Sequence, residues 1–457
     1  MSISSVTKFD EKENCLIVNI EANTTVTTII DQNIYDINKI DVGSQEILDK
    51  INLKENSYQK AYEMCKETTI YTSEGRELTE QQAGYLEEIM PTLYQIVGQI
   101  QKTINESFEK IEKIYGIKKE NIVSFAANVN PLGESGKLKT ALSERIDAIT
   151  KYPDREYTSL RKAIGSYCKC DYNHITVGNG CTELISLFIQ ITAPKKTLLL
   201  GPTYSEYERD LRINGSDISY YFLKEKDDFK IDSDEFISAI TADTDLVIIC
   251  NPNNPTGSLI TPDKLKTILT HCKDTNTYVM IDETYIEFVP DVDELSAIPL
   301  TELFDNVIIL RGTSKFFATP GLRLGYAITS NSQILTDINT NKNPWMINSL
   351  AVVAGETMFL DEEYIDKTRS LILSEKTRCR QLIEESHKFK LYPSYSNFYL
   401  LKILDEGVDA HMLFERAIRQ GMMIRDCSTF PGLEERFIRF CIMKPEDNTR
   451  LINCLTQ

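Results

Sequence analysis

Short apolar segments of strand length recur from about residue 120 onward, and they constrain the fold more than any other feature of the sequence. Their apolar residues follow one another without alternation, which is typical of strands buried on both faces. Helical patterns lie between several of these segments. The sequence therefore predicts an α/β fold of three layers, with a mainly parallel sheet between two layers of helices. The segments are residues 197–200, 246–250, 278–281 and 307–310.

The chain after about residue 345 has a different pattern. A long helical stretch covers residues 349–385, and apolar strands follow at residues 398–403 and 437–442. We expect a large domain at 151–345. We expect a smaller α+β domain that combines 119–150 with 346–457.

Residues 1–118 are predicted to form a separate N-terminal extension. Cys15–Ile20 and Thr24–Ile30 alternate weakly, which fits either short strands or poorly ordered arms. Apolar side chains then recur every three or four residues, which predicts a helix from about Pro91 to Tyr115 that ends at Gly116. This helix either packs on its own domain or binds a partner. A regulatory or bifunctional role for the extension stays open.

The charge balance argues against two classes of partner. The chain has 50 basic and 68 acidic residues, and a net charge of -18 repels nucleic acid and anionic membranes. No apolar run reaches the length of a membrane helix, and the first residues lack the layout of a signal peptide, so we expect a cytoplasmic protein. The 11 Cys include no Cys-x-x-Cys pair and do not cluster with the four His, which indicates buried thiols and no metal site.

Four motifs lie at the ends of predicted strands, where open α/β sheets bind ligands. In the segment 313–326, Lys315 precedes an apolar pair, and partial desolvation of its amine favours Schiff-base chemistry. Ser314 and Arg323 from the same segment are suited to bind one phosphate. Taken alone, Lys315 is better explained as a surface lysine.

The other three motifs are weaker one by one. Asp282 ends an apolar strand, where it suits either a pyridine nitrogen or the start of a helix. The Asn-Pro repeat at 251–257 is a rigid turn. The segment 177–185 has a Gly-bearing turn that opens a helix, and the free amides there favour a phosphate.

Together the four motifs resemble the aspartate-aminotransferase superfamily of pyridoxal-phosphate enzymes, called fold type I. The resemblance covers about three-quarters of the chain, from about residue 122 to the C-terminus. Within the superfamily it is strongest to threonine-phosphate decarboxylases, and next to histidinol-phosphate aminotransferases. The phrases that carry it are residues 124–133, 152–154, 202–207, 343–348 and 424–432.

The resemblance implies pyridoxal 5′-phosphate as the cofactor, and it implies a role for each matched residue. Lys315 would bind the cofactor covalently and move protons, and Asp282 would pair with the pyridine nitrogen. Tyr204 would stack on the ring and act with both as a catalytic residue. The other implied contacts are Asn254 and Tyr285 to the ring oxygen, Gly180, Cys181, Thr182, Ser314 and Arg323 to the phosphate, and Tyr152 to the cofactor of a second subunit in a homodimer.

The resemblance also implies an amino acid substrate. Arg439 would hold its carboxylate, Arg425 would meet a second anionic group, and Asn130 and Gly133 would complete the substrate site. The decarboxylases begin with a His-Gly-Gly segment and often have a basic residue after the Arg439 strand. This chain has no such segment, and it has Met443-Lys444 where that basic residue stands, which leaves a phosphorylated substrate open. Decarboxylation of an amino acid with an anionic or polar side chain is the first prediction, and amino transfer is the alternative.

Overall fold

The computed structural model describes the backbone of residues 3–8, 15–20, 24–30, 33–40 and 108–457, and side chains from residue 111 onward except Lys113. The chain divides into two compact units, Met1–Ile122 and Val123–Gln457. Within the described residues, no helix has both the length and the apolar character that a membrane crossing requires.

The first unit contains a four-stranded antiparallel sheet in which strands follow one another in chain order. The segments Cys15–Ile20 and Thr24–Ile30, for which the sequence allowed either short strands or poorly ordered arms, are strands. The predicted helix from Pro91 is described only as α1, Phe108–Tyr115, and the remainder lies outside the described residues. The strands are β1 Ile3–Lys8, β2 Cys15–Ile20, β3 Thr24–Ile30 and β4 Asn33–Ile40.

The second unit is built around a seven-stranded sheet with the order β6-β12-β11-β10-β9-β7-β8. Neighbouring strands from β8 to β11 are parallel, and only β12 runs against its neighbours. The predicted mainly parallel sheet is confirmed, and its four predicted segments are β7, β9, β10 and β11. The seven strands of the sheet are β6 Ile175–Gly178, β7 Lys196–Gly201, β8 Asp217–Phe222, β9 Leu246–Cys250, β10 Tyr278–Asp282, β11 Val307–Gly312 and β12 Gly325–Ile328. The short strand β5, Val123–Ser124, precedes them in the chain and lies outside this sheet.

Helices cover this sheet and explain why its strands do not alternate. On β10, Met280 packs into a core cluster with Phe188 and Tyr207 from two of the helices. Its neighbours Val279 and Ile281 point to the opposite face and are also 0% exposed. The helices up to this point of the chain are α2 Gly136–Glu144, α3 Thr158–Cys168, α4 Cys181–Thr192, α5 Ser205–Ile213, α6 Ser233–Ala239, α7 Pro262–Asp274, α8 Val292–Leu295 and α9 Ser332–Asn341.

A second, antiparallel sheet has the strand order β13-β14-β17-β16, and the short strand β15 pairs with β5. The single helical stretch predicted for 349–385 is two helices, because Asp361 begins a new helix by accepting a hydrogen bond from the Tyr364 N–H. The elements are α10 Ser349–Met358, α11 Glu362–Ser386, β13 Phe389–Leu391, β14 Phe398–Ile403, α12 Ala410–Ile418, β15 Met422–Met423, β16 Arg425–Asp426, β17 Phe437–Cys441 and α13 Pro445–Thr456.

The predicted division of the second unit remains a prediction. The seven-stranded sheet falls within the large domain expected at 151–345, and strands β13 to β17 fall within 346–457. The boundary between the two compact units lies at Ile122, close to the residue 118 that the sequence indicates.

A buried ion pair joins Arg311 on β11 to Glu283, the residue that follows β10. The Arg311 Nη2 atom lies 2.8 Å from a Glu283 carboxylate oxygen, and the two side chains are 3% and 0% exposed. We expect Arg311→Met to lower the free energy of unfolding by about 3–5 kcal/mol, because it leaves a buried carboxylate without its counter-ion. Urea denaturation measures the loss. Lys169→Met removes an exposed pair with Asp293 and should barely move the denaturation midpoint, so equal losses would contradict the interpretation.

Candidate active site

Five strands bring the sequence motifs to one edge of the sheet. Strands β6, β7, β9, β10 and β11 all run in the same direction. The four motifs lie at the ends of β6, β9, β10 and β11, and Tyr204 follows β7. The carboxyl ends of parallel strands form a crevice at such an edge. The Lys315 amine and the Arg439 guanidinium donate to the adjacent carbonyl oxygens of Ala127 and Ala126, which brings these two residues together there.

Asp282 lies at the end of β10 and is 5% exposed. Its carboxylate accepts hydrogen bonds from the Tyr207 hydroxyl at 2.6 Å, the Thr284 hydroxyl at 2.6 Å and the Thr284 N–H at 2.9 Å. These donors fix the orientation of both oxygen atoms. The alternative role as a helix start does not apply, because the next helical turn begins at Ile286.

Lys315 lies in the loop after β11. Its Nζ donates to the Ala127 carbonyl oxygen at 2.7 Å, and its own carbonyl oxygen accepts from the Asn130 N–H at 3.0 Å. Burial, together with the positive charge of Arg439, lowers the pKa of Lys315 to about 8. A lysine in this state supplies a neutral amine near neutral pH, which a surface lysine does not.

Arg439 is a buried arginine on β17, at 5% exposure. Its Nη1 donates to Asn254 Oδ1, its Nη2 donates to the Ala126 carbonyl oxygen at 2.7 Å, and its guanidinium lies 5.1 Å from the centre of the Phe398 ring. Among the described residues, its buried Nε has no acceptor. Because an unsatisfied buried donor is costly, this atom is suited to a ligand.

Arg425 lies directly opposite Arg439 in the antiparallel pair β16–β17. The Arg425 Nη2 donates to the Thr429 hydroxyl at 3.1 Å, and the guanidinium stacks at 5.3 Å from the Phe430 ring. Like charges on opposed residues repel, and an anion bound near them relieves that repulsion. The pair therefore favours a ligand with negative charge.

A cradle of glycines lies at the N-terminus of α4. Gly180 has φ +83° and precedes the helix, and the Arg323 guanidinium occupies the space that a Gly180 side chain would need. A Cβ on Gly325 would lie 2.5 Å from the Cys181 nitrogen atom. Cys181 and Thr182 open the helix, and half-buried Ser314 follows β11. Free amides at a helix N-terminus beside an arginine bind phosphate groups well.

Two tyrosines lie close to Asp282. The Tyr204 ring makes an edge contact with Tyr207 at 5.6 Å between centres, and burial raises the pKa of Tyr204 to about 12. The Tyr285 hydroxyl accepts from Asn128 Nδ2 at 3.1 Å, and the Tyr285 side chain is 4% exposed. Both tyrosines therefore keep their hydroxyl protons at neutral pH.

Asn130 and Gly133 lie in the loop before α2. Asn130 Nδ2 donates to the Phe316 carbonyl oxygen and to the Tyr364 and Thr368 hydroxyls, all within 2.9 Å. The Gly133 carbonyl oxygen accepts from the Tyr364 hydroxyl at 2.6 Å. The Asn130 N–H donates to the Lys315 carbonyl oxygen, which places this loop beside Lys315, and the role of both residues at the substrate remains a prediction.

Tyr152 lies apart from the other residues, on the surface. Its side chain is 81% exposed, and its ring lies 4.9 Å from the centre of the Trp345 ring. An aromatic side chain this exposed fits contact with a second subunit, which remains a prediction.

Sequence reasoning missed Tyr207, Thr284 and Asn128. Tyr207 lies three residues after Tyr204, the residue that precedes α5, and that spacing gave a signal because residues three apart at a helix start lie close together. Thr284 was visible as the second residue after Asp282, where short side chains bond a carboxylate. Asn128 has φ +54°, and only the folded chain reveals it beside Tyr285.

Comparison with known proteins identifies the family. The family model for aminotransferase class I and II matches residues 120–455. The chain belongs to this family. Its members depend on pyridoxal 5′-phosphate and share fold type I, and the chain is a pyridoxal-phosphate-dependent enzyme.

Its relatives in the class I and II aminotransferase family include two kinds of enzyme. A Caldanaerobacter subterraneus protein provisionally named a threonine-phosphate decarboxylase is 37% identical over 72% of this chain and 88% of its own. The threonine-phosphate decarboxylase of Salmonella typhimurium is 33% identical over 75% of this chain and 92% of its own. The structure of the histidinol-phosphate aminotransferase from Clostridium acetobutylicum is similar with a TM-score of 0.69 at 32% identity, and the match covers 73% of this chain and 98% of that one.

Proposed function

We propose that this enzyme decarboxylates an L-amino acid whose side chain has a second anionic group. The observation that carries the proposal is the opposed pair of Arg439 and Arg425, with the buried Nε of Arg439 lacking an acceptor among the described residues. The names of the decarboxylase relatives support the reaction.

The residues of the crevice fit the cofactor. Because Gly180 has no side chain, the Arg323 guanidinium can approach the N-terminus of α4, where the arginine and the helix amides would bind the phosphate. Cys181, Thr182 and Ser314 line the same place and would complete the phosphate site. Asp282, oriented by its three donors, would hold a proton on a pyridine nitrogen.

Tyr204 would contact the ring of the cofactor. Asn254 and Tyr285 would contact its ring oxygen, since both are buried and hydrogen-bonded into fixed orientations. Lys315 would hold the cofactor and move protons at its Nζ, whose pKa burial lowers to about 8. The bound cofactor supplies an electron sink for the substrate α-carbon.

Arg439 would bind the α-carboxylate of the substrate. Its guanidinium is held by Asn254 and Ala126, so its remaining N–H groups are pre-oriented for one carboxylate. Arg425, on the next strand, would bind the second anionic group. The aromatic rings of Phe398 and Phe430 limit water around the two cations and strengthen both contacts.

Amino transfer is the second candidate. It is favoured by the 29% identity to the histidinol-phosphate aminotransferase of Methanococcus aeolicus over 77% of this chain and 94% of its own. Lys315, Asp282 and Arg439 would serve both reactions. The two differ in which bond at the α-carbon is held perpendicular to the cofactor ring, and positioning within about 1 Å decides that. We also propose a homodimer in which Tyr152 reaches the site of the second subunit.

A substrate panel tests the proposed specificity. Release of carbon dioxide is measured without any 2-oxo acid for L-aspartate, L-glutamate, O-phospho-L-serine, O-phospho-L-threonine, L-alanine and L-threonine. We expect the anionic amino acids to react with a kcat/KM at least about tenfold above the neutral ones. Arg425→Gln should remove that preference while it keeps the reaction of the neutral ones. Equal rates for the neutral and anionic compounds in the native enzyme would contradict the proposal.

The low pKa of Lys315 predicts how cofactor capture depends on pH. Because the pKa is lowered to about 8, the neutral amine is the minor form at pH 7 and becomes the major form above pH 8. The rate at which the cofactor-free enzyme captures added pyridoxal phosphate should therefore rise about tenfold per pH unit below 8 and level off above it. Stopped-flow absorbance measures this rate. In Arg439→Met the plateau should begin at higher pH, because one positive charge is lost; a native rate that still climbs at pH 10 would refute the assignment.

A further inference from the structure

Lys376, on α11, is a buried lysine that the proposed mechanism does not use. Its side chain is 8% exposed, and among the described residues no carboxylate pairs with it. Its Nζ donates instead to the carbonyl oxygens of Ser394 at 2.6 Å and Ser396 at 2.7 Å. The Tyr399 ring lies 5.5 Å from the same atom. Burying an amine in this way is costly and needs a compensating role.

The two carbonyl groups belong to the loop 392–397, which joins β13 to β14. A single side chain that binds two alternate carbonyl groups fixes the course of that loop. The Tyr399 hydroxyl also donates to the Lys376 carbonyl oxygen at 3.1 Å. The backbone of Lys376 therefore binds strand β14, and its side chain binds the loop before that strand.

One side of the loop contacts the turn that contains Asn254. The Tyr395 N–H donates to the Gly257 carbonyl oxygen at 2.7 Å. Gly257, with φ +74°, is the last residue of the Asn-Pro turn, and a Cβ there would lie 2.7 Å from the Ser394 Cβ. The loop and the turn therefore pack without a gap, and a shift of the loop must move the turn.

The other side of the loop leads to Tyr285. Asn397 Nδ2 donates to the Asn128 carbonyl oxygen at 3.0 Å, and Asn128 Nδ2 donates to the Tyr285 hydroxyl at 3.1 Å. Asn397 is 0% exposed, so water does not compete for these bonds.

We infer that Lys376 is a positioning residue for the cofactor site: it fixes the loop 392–397, and through that loop it holds Asn254 and Tyr285 in place. This inference rests on the proposed contact of Asn254 and Tyr285 with the ring oxygen of the cofactor. It assigns to a helix outside the crevice a function in tuning the electronic state of the bound cofactor.

The charges around Lys376 are few. Burial lowers the pKa of Lys376 to about 7, and the positive charge of Arg380, one turn further along α11, lowers it too. Glu375, its neighbour, is occupied by Arg378 and Asn448. From the strand side, Tyr399 is the titratable group that faces it, and from the loop it meets carbonyl oxygens only.

The test is a pH titration of the absorbance of the bound cofactor. In Lys376→Met the side chain keeps its length but loses both hydrogen bonds, and we expect the titration midpoint to move by about one pH unit. Hydrogen–deuterium exchange of the cofactor-free protein should become faster in peptides that cover 394–397 and 251–257. Lys367→Met is the matched control, because Lys367 lies on the same helix, α11, and its side chain is exposed. It should change neither measurement.

Tyr285→Phe distinguishes a failure of the proposed role of Lys376 from a failure of the proposed contact between Tyr285 and the cofactor. If Tyr285→Phe moves the midpoint and a folded Lys376→Met does not, the role of Lys376 is overturned and the site assignment stands. If Tyr285→Phe leaves the midpoint unchanged, the assignment of Tyr285 to the cofactor falls, and the inference falls with it. If Lys376→Met does not fold, Asn397→Ala decides: a moved midpoint supports the loop connection, and a native midpoint overturns it.

Discussion

Lys315→Ala should abolish turnover, with a loss of about 10⁴-fold or more in kcat. The reason is that one atom, the Lys315 Nζ, is proposed both to hold the cofactor and to move protons at the substrate. Its position is fixed by the Ala127 carbonyl oxygen, and burial with the charge of Arg439 keeps the pKa near 8. The absorbance band of the covalently held cofactor should vanish together with activity.

Lys342→Ala is the matched control for this loss. Burial also lowers the pKa of Lys342 to about 8, but its Nζ donates to the Thr176 hydroxyl at the far end of β6. This variant should keep the absorbance band and most of the activity. Borohydride reduction followed by peptide mapping provides a second measurement, and a label that remains in Lys315→Ala would refute the assignment.

Asp282→Asn should lower kcat by roughly 10³-fold, as the removal of a buried electrostatic partner at a reacting group does. An amide cannot balance the positive charge of a protonated ring nitrogen, whereas it keeps the size of the carboxylate. The cofactor should still be captured by Lys315, so the variant should separate binding from turnover. Steady-state kinetics with cofactor titration measures both quantities.

Tyr207→Phe is the variant with which the loss of kcat in Asp282→Asn is compared. It removes one of the three donors to Asp282 and leaves the carboxylate in place, so we expect a loss of only about tenfold. A loss in Asp282→Asn no larger than in Tyr207→Phe would mean that the charge of Asp282 does not matter for the reaction.

The fold could be predicted largely because the strands are buried on both faces. Runs without alternation fixed β9 and β14 at the bounds that the structure has, Leu246–Cys250 and Phe398–Ile403. The prediction failed where a local cap decides the structure, as at Asp361, which divides the helical stretch at 349–385 into two. Hydrophobic pattern alone does not report such a break.

The candidate site could be predicted to the extent that its residues follow strands. Parallel strands deliver their ends to one edge, so Lys315, Asp282 and Gly180 were expected to meet. The motif of Asn130 does not reveal that Tyr364 and Thr368, more than 230 residues away, bind its side chain. The Asn397–Asn128 bond spans 269 residues and has no local signal at all.

The fate of the α-carboxylate in a single turnover tests the central claim most directly. Enzyme in excess over carboxyl-labelled O-phospho-L-threonine, L-aspartate or L-glutamate is mixed without any 2-oxo acid, and released carbon dioxide and the absorbance of the cofactor are followed together. Decarboxylation predicts one labelled carbon dioxide per substrate consumed, an amine product and a cofactor band that returns to its initial value. A label that stays in a 2-oxo acid, with the cofactor left in its amine form until an oxo acid is added, would contradict the account and establish amino transfer.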